Sequence, residues 1–186
     1  MLDRAGVAGQ EGPHVHTPVS WPAQAGTQGA RGEGMARGTH VSVMDIALDE
    51  ARAAGTRGEI PVGAVVLGPD GTVLARAGNA VEARADASAH AELLALRAAA
   101  AARGEPRLPD CELVVTLEPC PMCAQAISLF RIRRLVFGAY DPKSGGVEHG
   151  ARVFDAPSCH HRPEVVGGVR ESESAELLRA FFRARR

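Results

Sequence analysis

The segment CELVVTLEPCPMCAQAISLFRIRRLVFG, residues 111–138, decides how this chain folds. Residues 111–117 form an apolar run containing Val114, Val115 and Thr116, the pattern of a buried strand. Residues 122–130 read as a helix, with Pro119 and Pro121 at its entry, where a missing N–H costs little. Residues 132–138 return to an apolar, strand-like run. A strand, a helix and a second strand in succession imply a right-handed crossover and two parallel neighbours.

Working outward, residues 89–102 are rich in Ala and Leu and predict another helix. Before it, residues 60–67 are apolar and β-branched, and Gly68-Pro69-Asp70-Gly71 is strong turn chemistry. Residues 72–77 then predict a returning strand, so the pair is an antiparallel hairpin. Val43, Ile46, Ala47, Ala51 and Ala54 fall at helical spacing, and Gly55 is placed as a stop. Downstream, residues 141–158 read as loop with room for a short helix, 163–169 as a last strand and 172–183 as a final amphipathic helix. The expected fold class is α/β: a three-layer α/β/α domain whose mixed sheet of about five strands carries helices on both faces.

Residues 1–38 differ from everything that follows, with recurrent Gly and Pro and no apolar period. They are expected to form a disordered N-terminal extension, or to precede a true start at Met35 or Met44, leaving one domain over 39–186. At 186 residues two domains would be cramped. A formal net charge of -1 argues against a surface coated in positive charge, and the excess of arginine over the single Lys143 carries no nucleic-acid signal of its own. No run approaches the ~20 apolar residues that span a bilayer, and no apolar core of a secretory signal follows Met1. Four cysteines are too few for a disulfide scaffold, and the expected location is cytoplasmic.

The chemistry-bearing residues stand at two helix starts. His90-Ala91-Glu92 opens one helix and Pro119-Cys120-Pro121-Met122-Cys123 opens the next. Cysteines three apart on a helix share a face, so Cys120 and Cys123 can reach one ion. With His90 they make three ligands, and three protein ligands leave a tetrahedral zinc one open position for water. Such water has its pKa lowered to roughly 7, and a nearby carboxylate must then move protons. Glu92 is that carboxylate. Residues two apart on a regular helix point nearly opposite ways, so His90 and Glu92 can share a cavity only if His90 lies at the irregular helix entry.

The run Asp86-Ala87-Ser88-Ala89-His90-Ala91-Glu92 with Thr116-Leu117-Glu118-Pro119-Cys120-Pro121-Met122-Cys123 resembles the cytidine-deaminase superfamily, whose zinc deaminases carry H-x-E…P-C-x-x-C. Four further segments are similar to the bacterial tRNA-specific adenosine deaminases: Glu59 to Val65, Phe137 to Lys143, His161 to Val165, and Phe181 to Arg186. The resemblance covers residue 43 to the end.

It implies a cytidine-deaminase-like fold, one Zn2+ per subunit and a homodimer that acts on the anticodon stem-loop of a tRNA, an arginine tRNA being the expected partner. The implied reaction converts the wobble adenosine to inosine by a zinc-activated water, with Glu92 as proton shuttle. The implied substrate contacts are Asn79 on the flipped nucleoside and Pro61, Val62 and Gly63 around the base. Ala139, Tyr140 and Asp141 match the loop on the anticodon backbone, and Phe182 and Arg183 match the helix on the flanking bases. Ala87-Ser88 stands where the family usually has Pro-Thr, and His160 where it usually has Asn; the second change bears on substrate preference.

The residues alone leave other readings open. Cys120 and Cys123 could be a redox pair, and Cys159-His160-His161 a second metal cluster. A deaminase of a free base, or a zinc module that binds without catalysis, would carry the same ligands. Glu118 reads as a support for the zinc loop and Cys111 as an inert strand residue.

Overall fold

The computed structural model of the protein describes residues 40–185, so the expectation for 1–38 lies outside the described residues. The element order is α1 (His40–Thr56), β1 (Gly63–Leu67), β2 (Val73–Gly78), α2 (Val81–Arg84), α3 (Ala91–Arg103), β3 (Glu112–Leu117), α4 (Pro121–Phe130), β4 (Arg134–Ala139), a 3-10 turn (Val153–Asp155), β5 (Glu164–Val166) and α5 (Glu171–Arg183).

The five strands form one sheet in the order β2-β1-β3-β4-β5. β1 is antiparallel to both β2 and β3, whereas β3, β4 and β5 run parallel. The expected mixed sheet and α/β class are what the chain adopts. Strand periodicity sorts the side chains into two layers. Val65, Leu67, Val114 and Val136 face α1 together with Met44, Ala47 and Leu48, and Leu177 of α5 packs on the same cluster. Ala64, Val66, Leu113, Val115, Leu135 and Phe137 face the opposite way, onto Ala95, Leu96 and Ala99 of α3 and Ala124 and Ile127 of α4.

Element boundaries depart from the sequence reading where local chemistry intervenes. β1 starts at Gly63, three residues later than the apolar run suggests, because Pro61 has no N–H for a ladder and the Val62 N–H turns back to the Ile60 carbonyl. Gly63 itself lies under α1, and a Cβ there would overlap the backbone of Ala47 and Ala51. α3 starts at Ala91 because Asp86 holds the Ser88 N–H and hydroxyl in a turn. β4 starts at Arg134 because Arg131 closes α4 in the left-handed region, φ 58°, and Ile132 N–H bonds back to the Ile127 carbonyl. The short helix α2 has no apolar period to announce it.

The topology gathers distant segments at one end of the sheet. β3 and β4 are parallel, so Leu117 pairs with Ala139 and both strands release their following loops side by side. β1 is antiparallel to β3, which brings its beginning, Gly63, to that same end, and Gly78 at the end of β2 pairs with Gly63. Residues 61–63, 79, 118–120 and 139–141 therefore become neighbours. In open sheets with this arrangement the crevice beyond the strand ends is where ligands bind.

Candidate active site

Cys120 is the N-cap of α4, with extended backbone (φ -66°, ψ 168°) and Pro121 at the first helical position. Cys123 is buried in the first turn. His90 is the N-cap of α3 with the same extended character (φ -70°, ψ 148°). That conformation removes the difficulty of the His-x-Glu spacing. His90 precedes the helix while Glu92 lies in its first turn, and both side chains turn toward the cysteines. The Asn79 Oδ1 accepts the Ala91 N–H at 3.1 Å, which caps α3 from outside and fixes the residue beside His90.

The Cys120 and Cys123 sulfurs lie 3.6 and 3.5 Å from Nδ1 of His90. A tetrahedral ion with nitrogen at about 2.0 Å and sulfur at about 2.3 Å would separate those atoms by about 3.5 Å. All three donor atoms lie within 4.8 Å of one another, and among the described residues no fourth donor joins them. The residues fit a zinc with one position open.

Glu92 is 4 % exposed. Burial pushes its carboxyl above the usual carboxylate range, against the pull of its own backbone N–H, of His90 and, least, of the Cys123 thiol. It is a partner of the cluster's atoms without belonging to the donor set. Beside His90 opens a cavity of about 440 Å3, lined also by Asn79, Glu59, Ile60, Ala87 and, from the C-terminal end, Phe181 and Arg185.

Residues 37–139 match the zinc-binding region of cytidine and deoxycytidylate deaminases. The tRNA-specific adenosine deaminase of Agrobacterium fabrum (strain C58 / ATCC 33970) is 56% identical over 152 residues, which cover 82% of this chain and 98% of that protein. The chain belongs to the tRNA-specific adenosine deaminase family. A solved structure from work on A-to-I editing by tRNA:A34 deaminases at the wobble position of transfer RNA agrees, with 56% identity, a TM-score of 0.71, and 73% of this chain and 97% of that one covered. The same unit occurs inside a longer protein, the tRNA(Ile)-lysidine synthase of Deinococcus radiodurans, 49% identical over 141 residues that make up 76% of this chain and 24% of that one.

The chain is thus a zinc-type deaminase with one Zn2+, and His90, Cys120 and Cys123 are the side chains that would hold it. Without the ion, protons link the three. A hydrogen bond from the Cys123 thiol, aided by one from His90, outweighs burial and lowers Cys120 to about 4. The same bond and burial push Cys123 up, and the bond to Cys120 raises His90. Loading a metal on this set must release protons, because ligands bind deprotonated.

The other expected site residues divide. Asn79 reaches the cavity, whereas Pro61, Val62 and Gly63 lie buried behind the Gly58–Ile60 rim that lines it. Phe182 is 49% exposed and Arg183 pairs with Glu176 along α5, so both lie outside the cavity wall. Phe181 and Arg185 occupy that wall instead, Arg185 stacking 3.6 Å over the Phe181 ring and donating to the Gly58 carbonyl at 3.2 Å. The signal for them was the helical stripe through Ser174, Leu178, Phe181 and Arg185. Glu59 was not singled out either; it is buried and accepts the Glu82 and Ala83 N–H groups at 3.3 and 2.8 Å, holding α2 at the cavity edge. Ala139 is buried at the strand end, with Tyr140 and Asp141 half-buried beyond it.

Cys159 and His161 form no second cluster among the described residues. Cys159 donates to the His161 carbonyl at 3.1 Å, and His161 Nε2 meets the Ile132 carbonyl at 2.7 Å, so both fasten the loop ahead of β5. Cys111 lies in the core with its thiol pushed up by burial, as expected of an inert residue.

Proposed function

We propose that this deaminase hydrolyses the wobble adenosine of a tRNA anticodon to inosine, releasing ammonia, with Glu92 as the proton shuttle. The observation that carries the reading is a cluster of three metal donors, His90, Cys120 and Cys123, with the buried non-donor carboxylate of Glu92 beside it, which meets a cavity of about 440 Å3 through His90. Cavities of this order take a base or nucleoside and exclude a duplex, so the target nucleotide enters flipped from its loop.

Zinc held there supplies hydrolytic power by acidifying water. The protein's own groups do the rest. Glu92, kept apart from solvent, accepts the proton given up by the incoming water and returns it to N1 of the base. It then takes the remaining proton from the hydroxyl now on C6 and passes it to the amino group, so that the C6–N bond breaks, C6=O forms and ammonia leaves. The Asn79 amide has its oxygen engaged by the Ala91 N–H, which leaves its NH2 to donate to the nucleoside. Pro61, Val62 and Gly63 back the wall around the base. Ala139, Tyr140 and Asp141 face the anticodon backbone, and Phe182 and Arg183 reach the flanking bases. Such a substrate places the enzyme in the cytoplasm, and no helix among the described residues is long and apolar enough to cross a membrane. An arginine tRNA is the proposed partner.

The purified, zinc-loaded protein is expected to form inosine in an arginine-tRNA anticodon stem-loop with wobble adenosine, measured by nucleoside chromatography. Faster turnover of free adenine or guanine than of the stem-loop would overturn the assignment of substrate.

The proposed assembly is a homodimer built on α4. Met122 and Leu129, seven apart and therefore on one face, are 39% and 57% exposed. Burying such a side chain contributes about 2 kcal/mol, so Leu129→Glu across a two-fold interface is expected to convert a sedimenting dimer to monomer at micromolar concentration. A wild-type monomer under the same conditions would refute the dimer.

A further inference from the structure

Glu118 has no part in the reaction just described, yet its carboxylate takes five hydrogen bonds. The backbone N–H groups of Val147, Glu148 and His149 converge on Oε1 at 3.3, 2.9 and 2.9 Å. Oε2 accepts the Asp141 N–H at 3.0 Å and meets His149 Nδ1 at 2.8 Å. The side chain is fully buried, 0% exposed, and the loop closes so tightly over it that a Cβ at Gly145 would lie 2.6 Å from the carboxylate. All five bonds go to the loop after β4, and none goes to Pro119 or Cys120 beside it. Imidazole and loop continue the chain of contacts. The His149 and Tyr140 rings pack edge to face with centroids 5.7 Å apart, and Tyr140 in turn packs on Phe137 at 5.1 Å. Asp141, held by its N–H, uses its own Oδ1 to bond the Lys143 and Ser144 N–H groups at 3.1 and 2.9 Å. The backbone bond to Glu118 thereby orients the Asp141 side chain as well.

We propose that Glu118 and His149 are positioning residues for RNA: a buried carboxylate–imidazole clamp that sets the Tyr140–Asp141 turn at the mouth of the site. This rests on the reading of that turn as a contact to the anticodon backbone. The clamp needs an acceptor at both oxygens, since Oε1 takes three backbone N–H groups and Oε2 takes the Asp141 N–H, and an amide of the same shape offers only one. Glutamine in its place keeps one acceptor. Turned to satisfy the three N–H groups of 147–149, it faces its NH2 toward the Asp141 N–H and releases that residue. The 147–149 arm stays; the Tyr140–Asp141 turn is freed.

The experiment is Glu118→Gln in the zinc-loaded, full-length protein, assayed on the stem-loop. KM is expected to rise about tenfold, the loss of one charge-assisted hydrogen bond, with kcat within about threefold of wild type and zinc at one per chain. Hydrogen exchange followed by mass spectrometry is expected to show faster exchange over 139–144 with 147–149 still protected. A fall in kcat and zinc content at unchanged KM would overturn the inference and make Glu118 a support for the zinc turn; a variant indistinguishable from wild type would overturn it too. Should Glu118→Gln not fold, His149→Ala removes only the imidazole arm and is expected to raise KM about threefold, with partial recovery in His149→Asn, which restores a donor; equal KM in both would likewise sink the clamp. If wild type makes no inosine, the functional reading has failed; if wild type is active and the exchange pattern is unmoved, only the clamp has.

Discussion

Glu92→Gln is expected to retain its zinc and lose its turnover. General acid–base transfer contributes about 10²–10⁴-fold, and because the proposed reaction gives one carboxylate every proton transfer, kcat is expected to fall by about 10⁴. The geometry separates this from damage to the metal site. Glu92 is no member of the donor set, so its replacement leaves His90, Cys120 and Cys123 in place. Glutamine has the volume and the hydrogen-bonding reach of the buried side chain but cannot take and give a proton. It also removes the cost of burying a carboxylate that burial already pushes toward the protonated form, so the metal-free variant is expected to melt no lower than wild type. Zinc per chain, thermal melting and single-turnover inosine formation together test the role. Loss of zinc alongside activity would mean that the carboxylate supports the metal; turnover within about tenfold of wild type would remove Glu92 from the chemistry.

The sequence displayed the donors more readily than their surroundings, for a physical reason. Cys120 and Cys123 are three apart at a helix start, so local spacing alone puts their sulfurs together. The parallel core was equally legible, since residues 111–138 carry two apolar strands around one helix. His90 with Glu92 was a different matter: their convergence depends on His90 being extended while Glu92 is helical, and the Asn79 amide that caps α3 comes from a segment eleven residues upstream of His90. Glu59 looked like an ordinary charged residue at the head of an apolar run, and Glu118 like a support for the zinc loop that follows it. Their hydrogen-bond partners are backbone N–H groups of 141, 147–149 and 82–83, and backbone groups have no sequence signature. The C-terminal helix shows the same limit in milder form. The Phe-Phe pair was visible, but which ring faces the cavity is decided by helical phase, and the stripe through Ser174 selects Phe181.

Cys123→Ala is expected to abolish zinc binding and activity together, and to do so in a way that chelation of the wild type reproduces. Two helix N-termini face each other here, each ending in extended backbone, with Nδ1 of His90 3.5 Å from the Cys123 sulfur. A metal that binds only the folded state stabilises it by about 2.7 kcal/mol when present at 100 times its dissociation constant. For a domain of this size each kcal/mol moves the melting temperature by about 2–4 °C, so chelating the wild type is expected to lower it by about 5–10 °C. The variant should melt near the chelated wild type, below it by the contacts of one buried thiol, and should not respond to chelator at all. Zinc per chain should fall below about a tenth, since two remaining donors cannot hold an ion against water. Cys111→Ala is the matched control. That thiol is as fully buried, but it lies just ahead of β3 beside Arg103 and Asp110, at the opposite end of the strand from the cluster, so its loss should cost packing and leave zinc and chelator response intact. A Cys123→Ala protein that keeps its zinc and its chelator-dependent melting would place the metal elsewhere and remove the basis for reading this cavity as the site of hydrolysis.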